Sequence, residues 1–256
     1  MDYREIIGLV HSTRPMILNG SQSLEVTKKG PADFVTQVDF MVQDYIAGEL
    51  KKQYPDVQIM SEEKENRGID FSKPVWILDP IDGTTNLVHN FHHSAVSLAF
   101  YNGKELEFGI IYNPYSEETF YAIANQGCYL NDERIFVSNT TLLKDSLVMV
   151  GTASYYKEMG GNIFADIFEI YMQCQDVRRT GSAALDLAYV ACGRVEGFFE
   201  RSLKPWDIAA GMLIVKEAGG KVSSFEGKEL FLDRNNDIVA GNKEIHEKLL
   251  EIIMRR

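Results

Sequence analysis

The sequence predicts a layered α+β protein, and three observations lead there. Apolar runs at helical spacing alternate with short β-branched runs along all 256 residues, which is the signature of interleaved helices and strands. Hairpin signals such as Asn102-Gly103 and Asn113-Pro114 recur between the strands, so the sheets are not purely parallel. Hydrophobic content of 45% and charged content of 25% are ordinary for a globular chain. A chain near this size buries roughly 75% of its unfolded surface, enough for a large core.

Taken in order, residues 3–18 place Ile6, Ile7, Val10, Ile17 and Leu18 at helical spacing, with a break at Pro15. Residues 19–35 are polar, include Lys28-Lys29-Gly30-Pro31 and read as a mobile loop. A helix from about Thr36 to Tyr54 carries Val42, Ile46 and Leu50 on one face, with Asp39 in its first turn, where a carboxylate suits the helix dipole. Val57 to Met60 is a strand, and Ser61-Glu62-Glu63-Lys64 follows it as an acidic loop. Residues 94–101, 105–112 and 118–124 alternate as antiparallel strands, and Gly127 to Arg134 reads as a loop. A strand at 146–151, a helix at about 160–173 and a strand at Asp176 to Arg179 come next. Gly181-Ser182 then caps a helix through Cys192. Glu196 to Glu200 is a strand that ends in an acidic residue, and a strongly apolar helix runs from Trp206 to Ala218 with Asp207 at its start. Strands near 221–225 and 237–240 and a C-terminal helix complete the chain.

Bulk properties narrow the functional classes. A net charge of −11 argues against nucleic acid or an anionic membrane as the main partner. An anionic substrate remains compatible if metal ions reverse the local sign. Cys128, Cys174 and Cys192 are far apart and odd in number, so neither a disulfide framework nor a zinc site is expected and a reducing compartment fits. No signal peptide is read near Asp2, Arg4 and Glu5, and no segment is apolar enough to span a bilayer. The expectation is a cytoplasmic protein.

The chain is organised around Trp76-Ile77-Leu78-Asp79-Pro80-Ile81-Asp82-Gly83-Thr84-Thr85-Asn86-Leu87-Val88-His89. Val75 to Leu78 reads as a buried strand that stops at Pro80, which lacks a backbone donor. Asp79 and Asp82 then sit on a tight turn, Gly83 lets the backbone approach a ligand, and Thr84 or Thr85 caps a helix. Carboxylates bind a hard cation and a helix N-terminus binds an anion, so this stretch suits a metal and a phosphate together. A bare Asp-x-x-Asp also suits a plain structural turn. The whole string is far more specific, because each residue type has a separate task.

This string resembles the first signature of the inositol monophosphatase family, and Lys204-Pro205-Trp206-Asp207-Ile208-Ala209-Ala210-Gly211 resembles its second. The likeness runs from about Lys28 to about Gly241, with Glu62-Glu63 upstream of the first signature. It implies an α-β-α-β-α sandwich, formed by residues 1–256 as a single unit whose halves, about 1–140 and about 141–256, flank the active site. It also implies that Asp79 bridges two metals, that Glu62 and the Ile81 carbonyl complete one site, and that Asp82 and Asp207 complete the other. An all-oxygen set points to Mg²⁺ rather than zinc. Four carboxylates balance two Mg²⁺, and a third near Glu62 would balance a phosphate dianion, so two or three ions are expected.

On the same resemblance Thr84, hydrogen-bonded to Asp39, orients or deprotonates a metal-activated water, and the amides of Gly83 and Thr84 hold phosphate oxygens. The polyol is read by Asp82, Gly181, Ala183 and Glu200. For Glu200 a solvated strand end is the plain alternative. Trp206 is assigned to the core, and His89, His92 and His93 receive no chemistry. Ser61 stands where many relatives have Gly. The implied activity is Mg²⁺-dependent hydrolysis of inositol monophosphate or a similar small sugar phosphate, with inhibition by Li⁺ and a homodimeric assembly. The alternatives are the same chemistry on fructose 1,6-bisphosphate or 3′-phosphoadenosine 5′-phosphate, or a phosphate-sensing or partner-binding protein without turnover.

Overall fold

The computed structural model describes residues 1–21, 25–30 and 33–255, and the side chains of Lys28, Lys29, Asp33 and Phe34 lie outside that description. The first helical stretch is two helices, α1 (Tyr3–His11) and α2 (Arg14–Gly20), with Pro15 in the first turn of α2, where its missing N–H is harmless. The loop expected over 19–35 is instead partly a hairpin, β1 (Val26–Gly30) with β2 (Asp33–Thr36). β-Branched residues at Val26, Thr27, Val35 and Thr36 flank Gly30 and sustain the pairing despite the polar composition. Pro31 lies outside the described residues. Helix α3 (Gln37–Gln53) starts on a capping box formed by Thr36 and Asp39.

A seven-stranded sheet follows: β3 (Gln58–Ser61), β4 (Val75–Asp82), β5 (Ala95–Tyr101), β6 (Leu106–Asn113), β7 (Glu118–Ile123), β8 (Gly127–Leu130) and β9 (Glu133–Ile135), in that spatial order. Only the β3–β4 pair is parallel. The loop expected from Gly127 to Arg134 is a correction: it is the β8–β9 hairpin. Asn131 and Asp132 turn it with φ of 47° and 68°, the positive angles that a two-residue hairpin needs.

The second sheet contains β10 (Leu147–Val150), β11 (Asp176–Arg178), β12 (Gly197–Leu203), β13 (Lys221–Ser224) and β14 (Asn236–Gly241), in the order β11-β10-β12-β14-β13. Helices α5 (Gly160–Tyr171), α6 (Ala183–Ala191), α7 (Pro205–Glu217) and α8 (Lys243–Ile253) accompany it.

Side-chain alternation explains the layering. On β4, Trp76 and Leu78 face one cluster with Ile6 and Val10 of α1 and Val42 and Ile46 of α3. Val75 and Ile77 face a second cluster with Leu187 of α6 and Ile214 of α7. The same central cluster holds Met149, Phe198 and Ala240 from the second sheet. Val148, Phe199 and Val239 point the other way, onto Ile170 of α5 and Leu249 of α8. The result is helix, sheet, helix, sheet, helix. Gly109 lets α7 lie directly on β6, since a Cβ there would stand 3.0 Å from the Ala210 backbone. No helix among the described residues is long and apolar enough to cross a membrane.

Candidate active site

Strand β4 does not stop at Pro80. It continues to Asp82, and its pairing with β5 slips between Asp79 and Asp82. Pro80 is tolerated because it lies within that irregularity, where the ladder does not use its missing N–H. The slip has a chemical consequence. Positions three apart on a regular strand face opposite sides, but here Asp79 and Asp82 bring carboxylate oxygens together with Asp207, all within 4.8 Å of one another. The Ile81 amide donates to Asp79 Oδ1 at 3.0 Å and so folds the aspartate back onto the bulge.

The helix after the strand, α4 (Thr84–Val88), is not capped by Thr84 or Thr85. Its N-cap is Gly83 at φ 90°, and Thr84 is its first residue. A side chain at Gly83 would be strained and would meet Gly181 O and His93 O at 3.1 Å. Thr84 is thereby free for other bonds. Its Oγ1 lies 2.9 Å from Asp39 Oδ1 and 3.1 Å from Ile81 O. A hydroxyl has one proton, so it donates to one of these at a time. The other Asp39 oxygen accepts from Thr36 N at 2.9 Å and from Thr36 Oγ1 at 2.5 Å. Asp39 therefore both caps α3 and holds Thr84.

Each remaining carboxylate has its own tether. Glu62 follows β3, and its N–H donates to Leu78 O at 3.2 Å. The preceding Ser61 is buried and bonds through its hydroxyl to Gln43, whose Oε1 also accepts from Glu63 N at 3.0 Å. Asp82 Oδ2 accepts from Ser182 Oγ and from Ala184 N, the latter at 2.8 Å, so the start of α6 is docked on β4. Asp207 Oδ2 accepts from Lys204 N at 2.7 Å at the start of α7. Glu200 does not end its strand: β12 runs on to Leu203, and Ala153 N donates to Glu200 Oε1 at 3.2 Å.

Glu62, Asp79, Ile81, Asp82, Gly83, Thr84, Gly181, Ala183, Glu200 and Asp207 all line one cleft. Asp39 does not line it and reaches it through Thr84. Asp186, Ser154 and Tyr155 line it as well and were not singled out as site residues from the sequence; Arg179 also lines it, one of the basic residues whose charge would favour a bisphosphate. Asp186 lies in the first turn of α6, where it reads as a helix-dipole carboxylate, and Tyr155 lies in a stretch without periodicity. A larger cavity of about 910 Å³ opens elsewhere, beside Phe71, Met212 and Leu250. It lacks the convergent carboxylates, so chemistry rather than size selects the smaller cleft.

Crowding shapes the charge state of the site. Burial, then the charges of Glu62, Asp82 and Asp207, push Asp79 well above the ordinary carboxylate range. Burial and the charges of Asp82 and Glu62 do the same to Asp207. Burial lifts Asp82 to about 6 against the bonds from Ser182 and Ala184, and lifts Glu200 to about 7. Arg179 offsets part of this negative charge at Asp82 and Glu200, and the clustered carboxylates remain in excess. The chemistry of their donors, oxygen throughout with neither Cys nor His among Glu62, Asp79, Asp82 and Asp207, fits a hard divalent cation.

The fold and this acidic cleft define a class, and the chain belongs to the inositol monophosphatase family, whose pattern it matches over residues 6–255. Among relatives, an inositol-1-monophosphatase of Mesorhizobium japonicum is 40% identical over 234 residues, covering 91% of this chain and 88% of the relative. The Nus factor SuhB of Escherichia coli is 41% identical over 229 residues, covering 89% and 85%. The crystal structure of the extragenic suppressor protein suhB from Bartonella henselae superposes with a TM-score of 0.91 at 36% identity, covering 97% of this chain and 96% of that one.

Proposed function

We propose that this protein is a Mg²⁺-dependent phosphatase that hydrolyses inositol monophosphate or a similar small sugar monophosphate to the free polyol and inorganic phosphate. The observation that carries this reading is the convergence of the Asp79, Asp82 and Asp207 carboxylates beside the Thr84–Asp39 pair. Glu62, Asp79, the Ile81 carbonyl, Asp82 and Asp207 would hold two or three Mg²⁺. When bound, the ions supply Lewis acidity and an acidified water. Thr84 donates its proton to Asp39, so its Oγ1 lone pairs face the cleft and accept from a water. Asp39, held twice by Thr36, keeps that hydroxyl in one orientation. The Gly83 and Thr84 amides offer donors to phosphate oxygens. Asp82, Gly181, Ala183 and Glu200 surround the polyol. A bond forms from water oxygen to phosphorus as the water's proton passes through Thr84 Oγ1 to Asp39, the bond to the polyol oxygen breaks, and that oxygen leaves protonated by solvent.

Residues 1–256 act as one unit in this reading, with the halves about 1–140 and about 141–256 meeting at the cleft. The proposal includes a homodimer, which light scattering tests, and a cytoplasmic location, which the three free cysteines support. Li⁺ replaces a Mg²⁺ of similar size with half its charge and is proposed to inhibit; a rate unaffected by Li⁺, with Na⁺ as control, sinks that part. Inorganic phosphate release from inositol 1-phosphate, with Mg²⁺ and with EDTA, tests the whole. No Mg²⁺-dependent release from a panel that also holds fructose 1,6-bisphosphate and 3′-phosphoadenosine 5′-phosphate overturns it. That outcome would favour a second reading, partner binding without turnover, which the name Nus factor SuhB on a relative at 41% identity motivates.

A further inference from the structure

We propose that Gln43 is a positioning residue for the metal site: it clamps the Glu62 segment onto α3, the helix that also supplies Asp39, and so sets the affinity for the cation that Glu62 would hold. This rests on the reading of Glu62 as a metal ligand of a phosphatase. Ser61, which stands where many relatives have Gly, has a side chain with a task here. It is 0% exposed and donates its hydroxyl proton to Gln43 Oε1, and Glu63 N donates to the same oxygen at 3.0 Å. The two residues that flank Glu62 are therefore gripped by one acceptor. A backbone N–H can only donate, which fixes the Gln43 amide with its oxygen toward the loop. Asn66 closes the segment from its far end: its Oδ1 accepts from Ser61 N at 3.0 Å, and its Nδ2 donates to Ser61 O at 2.8 Å.

Gln43 follows Asp39 by one helical turn, so both side chains leave the same face of α3. Asp39 bonds to Thr84 Oγ1 at 2.9 Å, and Gln43 bonds on either side of Glu62. One turn of one helix thus spaces the carboxylate that would hold a cation from the hydroxyl that would face the water. Packing alone does not ask for a glutamine at this position. The apolar face of α3 is Val38, Val42, Ile46 and Leu50, which join the cluster with α1 and β4. Gln43 is 1% exposed, and burying an amide is costly unless its bonds are made. β3 is an edge strand with β4 as its one neighbour in the sheet. The Glu62 N–H takes its hold from β4, at Leu78 O, and the residues on either side of it take theirs from α3.

Gln43→Leu keeps the size of the side chain and loses the acceptor, and Gln43→Glu keeps an acceptor oxygen at the same reach. Mg²⁺ is titrated calorimetrically into the full chain freed of metal, and the Glu62-dependent binding step is identified as the one lost in Glu62→Gln. That step should weaken about 10- to 100-fold in Gln43→Leu and stay within about threefold of the parent in Gln43→Glu. In phosphate release from inositol 1-phosphate the Mg²⁺ midpoint should rise by the same factor, while KM at saturating Mg²⁺ stays within about twofold, a split that a general folding defect would not give. Ser61→Ala removes one of the two donors and leaves α3 untouched; it should weaken the step about 3- to 10-fold and carries the test if Gln43→Leu does not fold. Binding within about twofold of the parent in Gln43→Leu and in Ser61→Ala overturns the proposal, because Gln43 would then serve packing alone. So does a loss in Gln43→Leu that Gln43→Glu shares in full. If the parent binds Mg²⁺ and releases no phosphate from any substrate, the phosphatase reading has failed, and the titration still decides the role of Gln43. A parent that binds no Mg²⁺ overturns the metal site and the role of Gln43 with it.

Discussion

Asp79 is 1% exposed and shares its surroundings with the carboxylates of Glu62, Asp82 and Asp207. Asp79→Asn removes one negative charge from that group while keeping its shape. Activity is expected to be lost with the fold retained, as read by phosphate release at saturating Mg²⁺ and by circular dichroism; near-native turnover would refute the assignment. Glu200 is tied to the 151–153 segment by the Ala153 amide, and its carboxylate fills the space a Cβ of Gly151 would need. Glu200→Gln is expected to lower kcat/KM on inositol monophosphate roughly 10- to 150-fold and to spare an aryl phosphate without ring hydroxyls. An equal loss on both would mean that Glu200 supports the fold and does not read the polyol. At this scale the aspartates at 79, 82 and 207 were legible, because each stands beside Pro, Gly or a helix start whose backbone role is readable. Asp186 was not, because a carboxylate in a first helical turn satisfies local rules without any site.

Local rules also explain which elements could be read. The 37–53 helix announces itself through its cap and its apolar face, and the β5–β6–β7 meander through alternation and turns. The β1–β2 and β8–β9 hairpins are short and carry loop punctuation at Gly30-Pro31 and Asn131-Asp132, so their signal sank below that of a loop. The passage of β4 through Pro80 depends on pairing with β5, a tertiary fact that overrides the local tendency of proline to end a strand. Helix packing supplies a test at the same scale. Gly109→Ala would drive a methyl group into the Ala210 backbone at 3.0 Å, where no flexible side chain can move aside. A loss of about 1–3 kcal/mol is expected from such overpacking, measured by urea unfolding; an unchanged midpoint would show that α7 can lift from β6 at little cost.

For the whole molecule, the acidic cleft couples stability to pH and metal. Asp82 titrates at about 6 and Glu200 at about 7 in the folded chain, against ordinary values of 3.8 and 4.5. Between those limits the folded chain holds more protons than the unfolded one, so these groups contribute stability that is full below the ordinary values and lost as pH rises through 6 and 7. A cation that binds the ionised form reverses the trend, since it competes with the protons. The expected outcome is that Tm in EDTA falls from about pH 5 to about pH 8 relative to Tm in Mg²⁺, so the gap widens. A gap that is constant or narrows over that range would count against metal binding by these carboxylates. None of this follows from the net charge of −11 alone, because it depends on which acids the fold gathers.

The placement of α7 between the two sheets has a further consequence, one of timing. Ile208, Ala209, Ala210, Leu213, Ile214 and Val215 of this helix are all buried, and it carries Asp207 at its start. Its amides should exchange with deuterium only when the whole molecule opens. Glu62 instead follows β3, which forms one edge of the seven-stranded sheet, so its loop is expected to open more readily than α7. The four carboxylates would thus keep different clocks: Asp207 would be held for the lifetime of the native state, while Glu62 would be released and recaptured many times within it.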